Sequence, residues 1–286
     1  SIVLLKNEDN RLPLSETLHK DPVLVGPLCD AWYQDWYGGE PHHKSTLKEG
    51  LEKLLNTKIR CVDGWDRITL RTGDQYVAVQ EDGRLCLSDK ADLFVKEDWG
   101  DGRINLRCER TGKYVTTISK GRRQSEEEDG ALVAVKDAAF DWFVTAIFHI
   151  IPAGNGVVQL TNRFDQPIQI SKDKKLYSAL TGEGSSFLME TVVDGFEEVQ
   201  RLMQCAKTVI LALGCHPMVN AKEEIDRTTL ALPPHQEKLA KMICKIKPDA
   251  ICVLFSNYPY TIHSVQNTLP AIVWSATGSQ DMGTAM

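Results

Sequence analysis

The chain has 286 residues, of which 42% are hydrophobic and 25% charged, and a net charge of −6. That length holds one large or two ordinary domains, and that balance is globular, neither disordered nor fibrous. The charge argues against nucleic acid or an anionic membrane as the main partner, and no apolar run reaches the roughly 18 residues of a spanning helix.

The chain opens on the apolar stretch Ser1-Ile2-Val3-Leu4-Leu5-Lys6-Asn7-Glu8, which leads to Leu12-Pro13-Leu14. Pro22-Val23-Leu24-Val25-Gly26-Pro27 is a short apolar run closed by turn formers, as expected of a parallel strand buried on both faces. A loop over 30–43, rich in aromatics and turn formers, follows it. Thr46 and Glu49 have capping-box spacing, and Leu47, Leu51, Leu54 and Leu55 recur at helical period. With Ile59-Arg60-Cys61-Val62 as the next strand, this predicts one βαβ unit with a right-handed crossover.

From Trp65 the period changes. Ile68-Thr69-Leu70-Arg71, Ile104-Asn105-Leu106-Arg107 and Val158-Gln159-Leu160-Thr161 are variants of one phrase, with Phe94, Phe148 and Phe187 as the aromatic of each unit. Short alternating runs before turn signals lie between them, at Tyr76-Val77-Ala78-Val79, Tyr114-Val115-Thr116-Thr117 and Ile168-Gln169-Ile170. Three copies of one unit over 65–193 point to an inserted β-trefoil, similar to the fascin-like and ricin-like ones. An acidic excursion at 122–129 reads as a solvated loop of the second copy.

At Asp194 a helical pattern begins (Phe196, Val199, Leu202, Met203), and α/β alternation resumes with a buried strand over 207–213. Pro233 and Pro234 suit the first turn of a helix whose apolar face is Leu239, Met242, Ile243 and Ile246. Strands over 250–256 and 271–275 complete the pattern. The fold class is therefore a mostly parallel α/β sandwich made of residues 1–64 and 194–286, interrupted by an all-β insertion at 65–193.

Between the strand at 207–213 and the helix at 233–246 lies the stretch Lys222-Glu223-Glu224-Ile225-Asp226-Arg227. Open α/β sheets hold their ligands at the carboxyl ends of strands, so this carboxylate-rich loop is the candidate site. Crowded carboxylates raise the pKa of at least one member, which a general acid at neutral pH requires. Trp36 and Tyr37, before Gly38-Gly39, sit in a loop predicted on the same sheet edge and offer flat aromatic faces there. Eight cysteines without a C-x-x-C pair read as buried thiols of a reducing compartment, so a cytoplasmic location is expected. His42-His43 and Cys215-His216 lack the spacing of a metal site.

Three ordered segments carry a family resemblance: residues 1–14; Glu223 to Arg227 with Leu230-Ala231-Leu232-Pro233 and Gln236; and Pro270-Ala271-Ile272-Val273-Trp274 with Gly278-Ser279-Gln280-Asp281-Met282-Gly283. Together they resemble the second, α/β sandwich domain of family 3 glycoside hydrolases of the β-glucosidase and β-xylosidase type. The resemblance implies a retaining β-glycosidase acting on a β-linked saccharide, its nucleophile coming from a TIM barrel of the same protein, with no metal or organic cofactor. It implies that Glu223 is the general acid/base, with Glu224 as the near alternative, because the Gly-Glu pair of many members is Gly214-Cys215 here. Asp226 and Arg227 would hold that acid in place, and Trp36 and Tyr37 would wall a subsite. It also implies a further strand and helix beyond Met286. Without the barrel the isolated fragment would be inactive, and without the last strand and helix it would self-associate across its sheet edge as a homo-oligomer. The alternative is a binding module in which the trefoil recognises carbohydrate or protein. It lacks the Gln-x-Trp motif of ricin-type sites.

Overall fold

The computed structural model describes residues 1–14, 21–118, 130–223 and 227–286. They form two compact units, Ser1–Gly64 with Gly195–Met286, and Trp65–Asp194. The acidic excursion at 122–129 lies outside the described residues.

The first segment contributes β1 (Ile2–Asn7), β2 (Pro22–Val25), α1 (Leu47–Leu55) and β3 (Arg60–Val62). α1 starts on a capping box in which Thr46 accepts from the Glu49 amide while the Glu49 carboxylate accepts from the Thr46 amide. β2 and β3 pair in parallel, with α1 as the connection. Burial on α1 runs through Leu47, Leu51 and Leu55 in successive i+4 steps, and Leu54 is 77% exposed.

The second unit is all β: β4 (Asp66–Thr72), β5 (Gln75–Val79), β6 (Leu85–Ser88), β7 (Phe94–Asp98), β8 (Arg103–Cys108), β9 (Tyr114–Thr117), β10 (Leu132–Lys136), β11 (Phe148–Gly154), β12 (Val157–Asn162), β13 (Ile168–Ile170), β14 (Leu176–Ser178) and β15 (Phe187–Val193). Antiparallel pairings run β4 to β7, β7 to β8, β8 to β11, β11 to β12, β12 to β15 and β15 back to β4, so the sheet closes on itself like a barrel. The repeated phrases sit in one register. Ile68 pairs with Phe94, Ile104 with Phe148 and Val158 with Phe187, and each of the three phenylalanines is fully buried. Hairpins β5–β6, β9–β10 and β13–β14 are linked to one another by the bridges Arg84 to Val133, Cys86 to Lys175 and Ala131 to Tyr177.

The returning segment adds α2 (Gly195–Gln204), β16 (Thr208–Gly214), α3 (Pro234–Ile246), β17 (Ile251–Phe255), α4 (His263–Gln266), β18 (Ala271–Ser275) and α5 (Met282–Ala285). The first unit's sheet has the order β1-β18-β17-β16-β2-β3, parallel except for β1. The inner strands β2, β16 and β17 are buried along their whole length because both faces are covered. Val23, Val25, Leu211, Leu213, Cys252 and Leu254 pack with Val199 and Met203 of α2 and Leu239 and Ile243 of α3. Leu24, Ile210, Ala212, Val253 and Phe255 pack on the opposite side with Leu47 of α1 and Met282 of α5. Ile246, at the last position of α3, is 44% exposed and does not join the face expected of it. Among the described residues no helix is long and apolar enough to cross a membrane.

Two features fix the ends of the central strands. The Gln236 side chain, fully buried in the first turn of α3, accepts from the Gly214 amide at 2.9 Å and donates to the Gly214 carbonyl at 2.8 Å. Gly214 itself has φ +148°, and a Cβ there would lie 1.7 Å from the Phe255 carbonyl oxygen of β17, so only glycine fits. The second feature corrects the cysteine reading. Cys29 and Cys61 form a disulfide with a Cα separation of 6.6 Å, because β2 and β3 are neighbours and their pairing brings the residue four beyond β2 within reach of the middle of β3. Cys205 is exposed, and Cys86 and Cys244 are only half-buried.

A thiol reagent applied in denaturant without reductant should therefore titrate six cysteines, and all eight after reduction. Loss of the bridge, which closes a 32-residue separation, should cost about 3 to 4 kcal/mol in a denaturant melt. Gln236→Leu keeps the volume but strips both partners from a buried peptide group. It should lower the unfolding free energy by about 2 to 4 kcal/mol, read from the urea midpoint.

Candidate functional site

The site lies where four chain segments leave the carboxyl ends of β2, β16, β17 and β18. The residue before it, Cys215, is fully buried, donates its amide to the Phe255 carbonyl, and has its thiol pushed up by burial, so it is no nucleophile. His216 then builds a tight turn. Its amide donates to Asn220 Oδ1 at 2.9 Å, its carbonyl accepts from the amides of Val219, Asn220 and Ala221, and its Nδ1 accepts from the Met218 amide at 3.1 Å. Burial drives the imidazole pKa down to about 3, so it is neutral, with the proton on Nε2. Its ring packs against Tyr33, tilted by 32° with centroids 4.0 Å apart. The turn delivers Glu223 to the exposed rim and Lys222, 2% exposed, just beneath it.

The loop after β2 is tied down at each step. Asp30 accepts from Thr46 Oγ1 at 2.8 Å and from Lys48 Nζ at 2.7 Å. Trp32 Nε1 donates to the Ser279 carbonyl at 2.9 Å. Asp35 Oδ1 accepts from the Tyr37 amide at 2.6 Å, an Asx turn that aims the next side chains. Two consecutive residues of this loop then meet two consecutive residues of the other. Lys222 Nζ stands 4.3 Å over the Trp36 ring, and the Tyr37 hydroxyl donates to Glu223 Oε2.

These contacts wall a cavity of about 370 Å³ lined by Trp36, Tyr37, Met218, Glu223, Asn257 and Thr277, among others. That volume suits a single small ring. Thr277 Oγ1 is buried without a hydrogen-bond partner among the described residues, and its amide donates to Asn257 Oδ1 at 3.0 Å. Arg227 donates to the Pro259 carbonyl at 3.0 Å and lies 4.4 Å over Tyr260 and 5.0 Å over Tyr258. A larger depression of about 750 Å³ lies on the second unit between Glu81, Asp82, Arg84, Asp173, Lys175 and Tyr177. Its rim is made of exposed charged turns.

Of the residues singled out in the sequence, Trp36, Tyr37 and Glu223 are brought together, and Arg227 is placed on neighbouring aromatics. Glu224 and Asp226 lie outside the described residues. One face of Trp36 is covered by Lys222, whereas Tyr37 is 77% exposed. Lys222, Asn257 and Thr277 were missed. The last two follow strands β17 and β18, and the rule that ligands gather at strand carboxyl ends identifies them once the strands are assigned. His43 meets Asp281 at 2.6 Å, and among the described residues no group of three or more His, Cys, Asp or Glu could hold a metal.

The model of the family described as the glycosyl hydrolase family 3 C-terminal domain matches residues 2–286. Among solved structures, the chain is similar to a beta-glucosidase from Kluyveromyces marxianus, with TM-score 0.53 and 15% identity over 99% of this chain and 39% of that one. It is likewise similar to DesR, a beta-glucosidase from Streptomyces venezuelae solved with D-glucose, with TM-score 0.53 and 15% identity over 99% of this chain and 34% of that one. The chain thus spans well under half of either solved protein. No curated protein sequence matches it.

The Tyr37 phenol is raised above its ordinary pKa of 10.0, first by its bond to Glu223 and then by partial desolvation. A raised phenol pKa favours the protonated form in the folded state, so the contact contributes stability below pH 10 that is lost as pH rises through the shifted value. In an absorbance titration of phenolate, Glu223→Gln should move one tyrosine midpoint to lower pH; an unchanged titration curve would show that the two side chains do not meet.

Proposed function

We propose that this chain, which belongs to the glycosyl hydrolase family 3 C-terminal domain family, supplies the proton-transferring half of a retaining β-glycosidase site, with Glu223 as general acid/base. The observation that carries this reading is the placement of Glu223 on a cavity at the strand carboxyl ends, beside an open aromatic face and an unsatisfied hydroxyl. The nucleophile would be a carboxylate of a barrel domain of the same protein. In the first half-reaction Glu223 protonates the glycosidic oxygen as its bond to the anomeric carbon breaks. In the second, its carboxylate takes a proton from the water that displaces the nucleophile. The substrates would be small β-linked glucosides or xylosides, and this chemistry needs neither metal nor organic cofactor. The Cys29–Cys61 disulfide favours an oxidising compartment over the cytoplasmic one expected from the cysteine pattern.

A second reading places recognition on the barrel-like unit. Its three aligned repeats and linked hairpins support a trefoil, and the depression of about 750 Å³ is large enough for a saccharide or a peptide tip. The two readings put ligand on different units and are therefore separable by substitution.

In the full-length protein, Glu223→Ala should lower the rate on alkyl β-glycosides by about 10²- to 10⁴-fold, and much less on activated aryl glycosides. Azide should restore turnover on the activated substrates. Near-normal rates for Glu223→Ala with a loss for Glu224→Ala would place the acid one residue on. If neither substitution matters, the domain is a scaffold and the barrel unit becomes the recognition element.

A further inference from the structure

We infer that Tyr37 is a positioning residue for the Glu223 carboxyl, its phenol holding Oε2 so that the travelling proton is carried on Oε1. This deepens the assignment of Glu223 as acid/base and rests on it. Three features of the site lead there. The phenol donates to Oε2 across loops separated by 186 residues. Tyr37 is itself held from behind, since its amide is bound by Asp35 Oδ1. The neighbouring pair, Lys222 Nζ over Trp36, closes the same two loops one residue earlier, so the contact is part of a two-rung clasp and not a lone surface bond.

The chemistry follows from the geometry. With Oε2 engaged as an acceptor, the neutral acid carries its hydrogen on Oε1. As that proton passes to the glycosidic oxygen, the bond to the anomeric carbon breaks and its electron pair goes to the departing oxygen. Glu223 is left as a carboxylate. Negative charge grows on a carboxyl that already receives an O–H donor, and a hydrogen bond to an ionised acceptor is about twice as strong as one to a neutral group. The phenol therefore stabilises the product of proton donation more than its starting state, which is how a fixed donor accelerates a step. When water later returns a proton, Oε1 again receives it. A saccharide filling the cavity would exclude solvent from the exposed phenol and strengthen the bond further.

This assigns Tyr37 a different task from walling a sugar, and two substitutions separate the two. Tyr37→Phe keeps the ring and removes the donor; Tyr37→Ala removes both. In the full-length protein, Tyr37→Phe should lower kcat on alkyl β-glycosides by about ten- to a hundred-fold with KM unchanged. The loss should shrink on dinitrophenyl glycosides, whose leaving groups need no proton. In the Glu223→Ala background, Tyr37→Phe should have no further effect, because the bond it removes is already gone. A position 77% exposed accepts phenylalanine without loss of fold, which an unchanged melting temperature would verify.

Normal kcat for Tyr37→Phe with a raised KM for Tyr37→Ala would overturn the inference and leave a sugar wall. Equal losses in the presence and absence of Glu223 would also overturn it, since a structural defect acts on both. If Glu223→Ala alone is fully active, the acid/base assignment fails and the Tyr37 role fails with it.

Discussion

A single buried amide organises the functional end of the α/β unit. Gln236 satisfies both the N–H and the C=O of Gly214, the last residue of β16, from the first turn of α3. A parallel strand that ends in the interior leaves its final peptide group without a ladder partner on one side, and such a group costs roughly 1 to 3 kcal/mol if unmet. One side-chain amide has both a donor and an acceptor at the spacing needed to serve it. The same contact docks the helix start against the strand end, so the chain must leave β16 in one direction, into the turn built by His216 and Asn220.

What that turn presents depends on strand order. β16 lies between β2 and β17, so the loops that follow these strands emerge side by side. Trp36 and Tyr37 come from one, Lys222 and Glu223 from the next, and Asn257 from the third. The clasp between the first two joins a cation to an aromatic face and a phenol to a carboxylate. The phenol–carboxylate contact lies at the exposed surface, whereas the Lys222 side chain is buried against the indole face. The importance of the two contacts is geometric: two loops that would otherwise sample many conformations share one. Lys222 also takes one face of Trp36, which leaves Tyr37 as the more accessible ring of the pair.

The second unit solves a different problem. Short antiparallel strands need their edges paired, and the ring from β4 back to β4 leaves its six members no free edge. The three phenylalanines at equivalent register positions fill the interior, each opposite an aliphatic residue of the repeated phrase. A repeat of this kind leaves a trace in the sequence because each unit must present the same apolar residue to the same axis.

Much of this was legible without coordinates. The apolar runs of β2, β16, β17 and β18, the capping box of Thr46 and Glu49 and the threefold phrase all obey local rules, in which burial or hydrogen bonding is set by residues a few positions apart. The carboxylate loop and the aromatic loop could be placed at strand ends for the same reason. Local rules do not say which loop touches which. Tyr37 and Glu223 meet across 186 residues only because β2 and β16 are neighbours in the sheet, and Cys29 reaches Cys61 only because β2 and β3 are. The cysteines were misread because their spacing carries no record of that adjacency, and Gln236 gave no sign of its partner 22 residues earlier. Periodicity and capping by themselves determined the buried parallel strands and the helices α1, α2 and α3. Strand order, which depends on how the whole sheet buries its two faces, decided which side chains share a site.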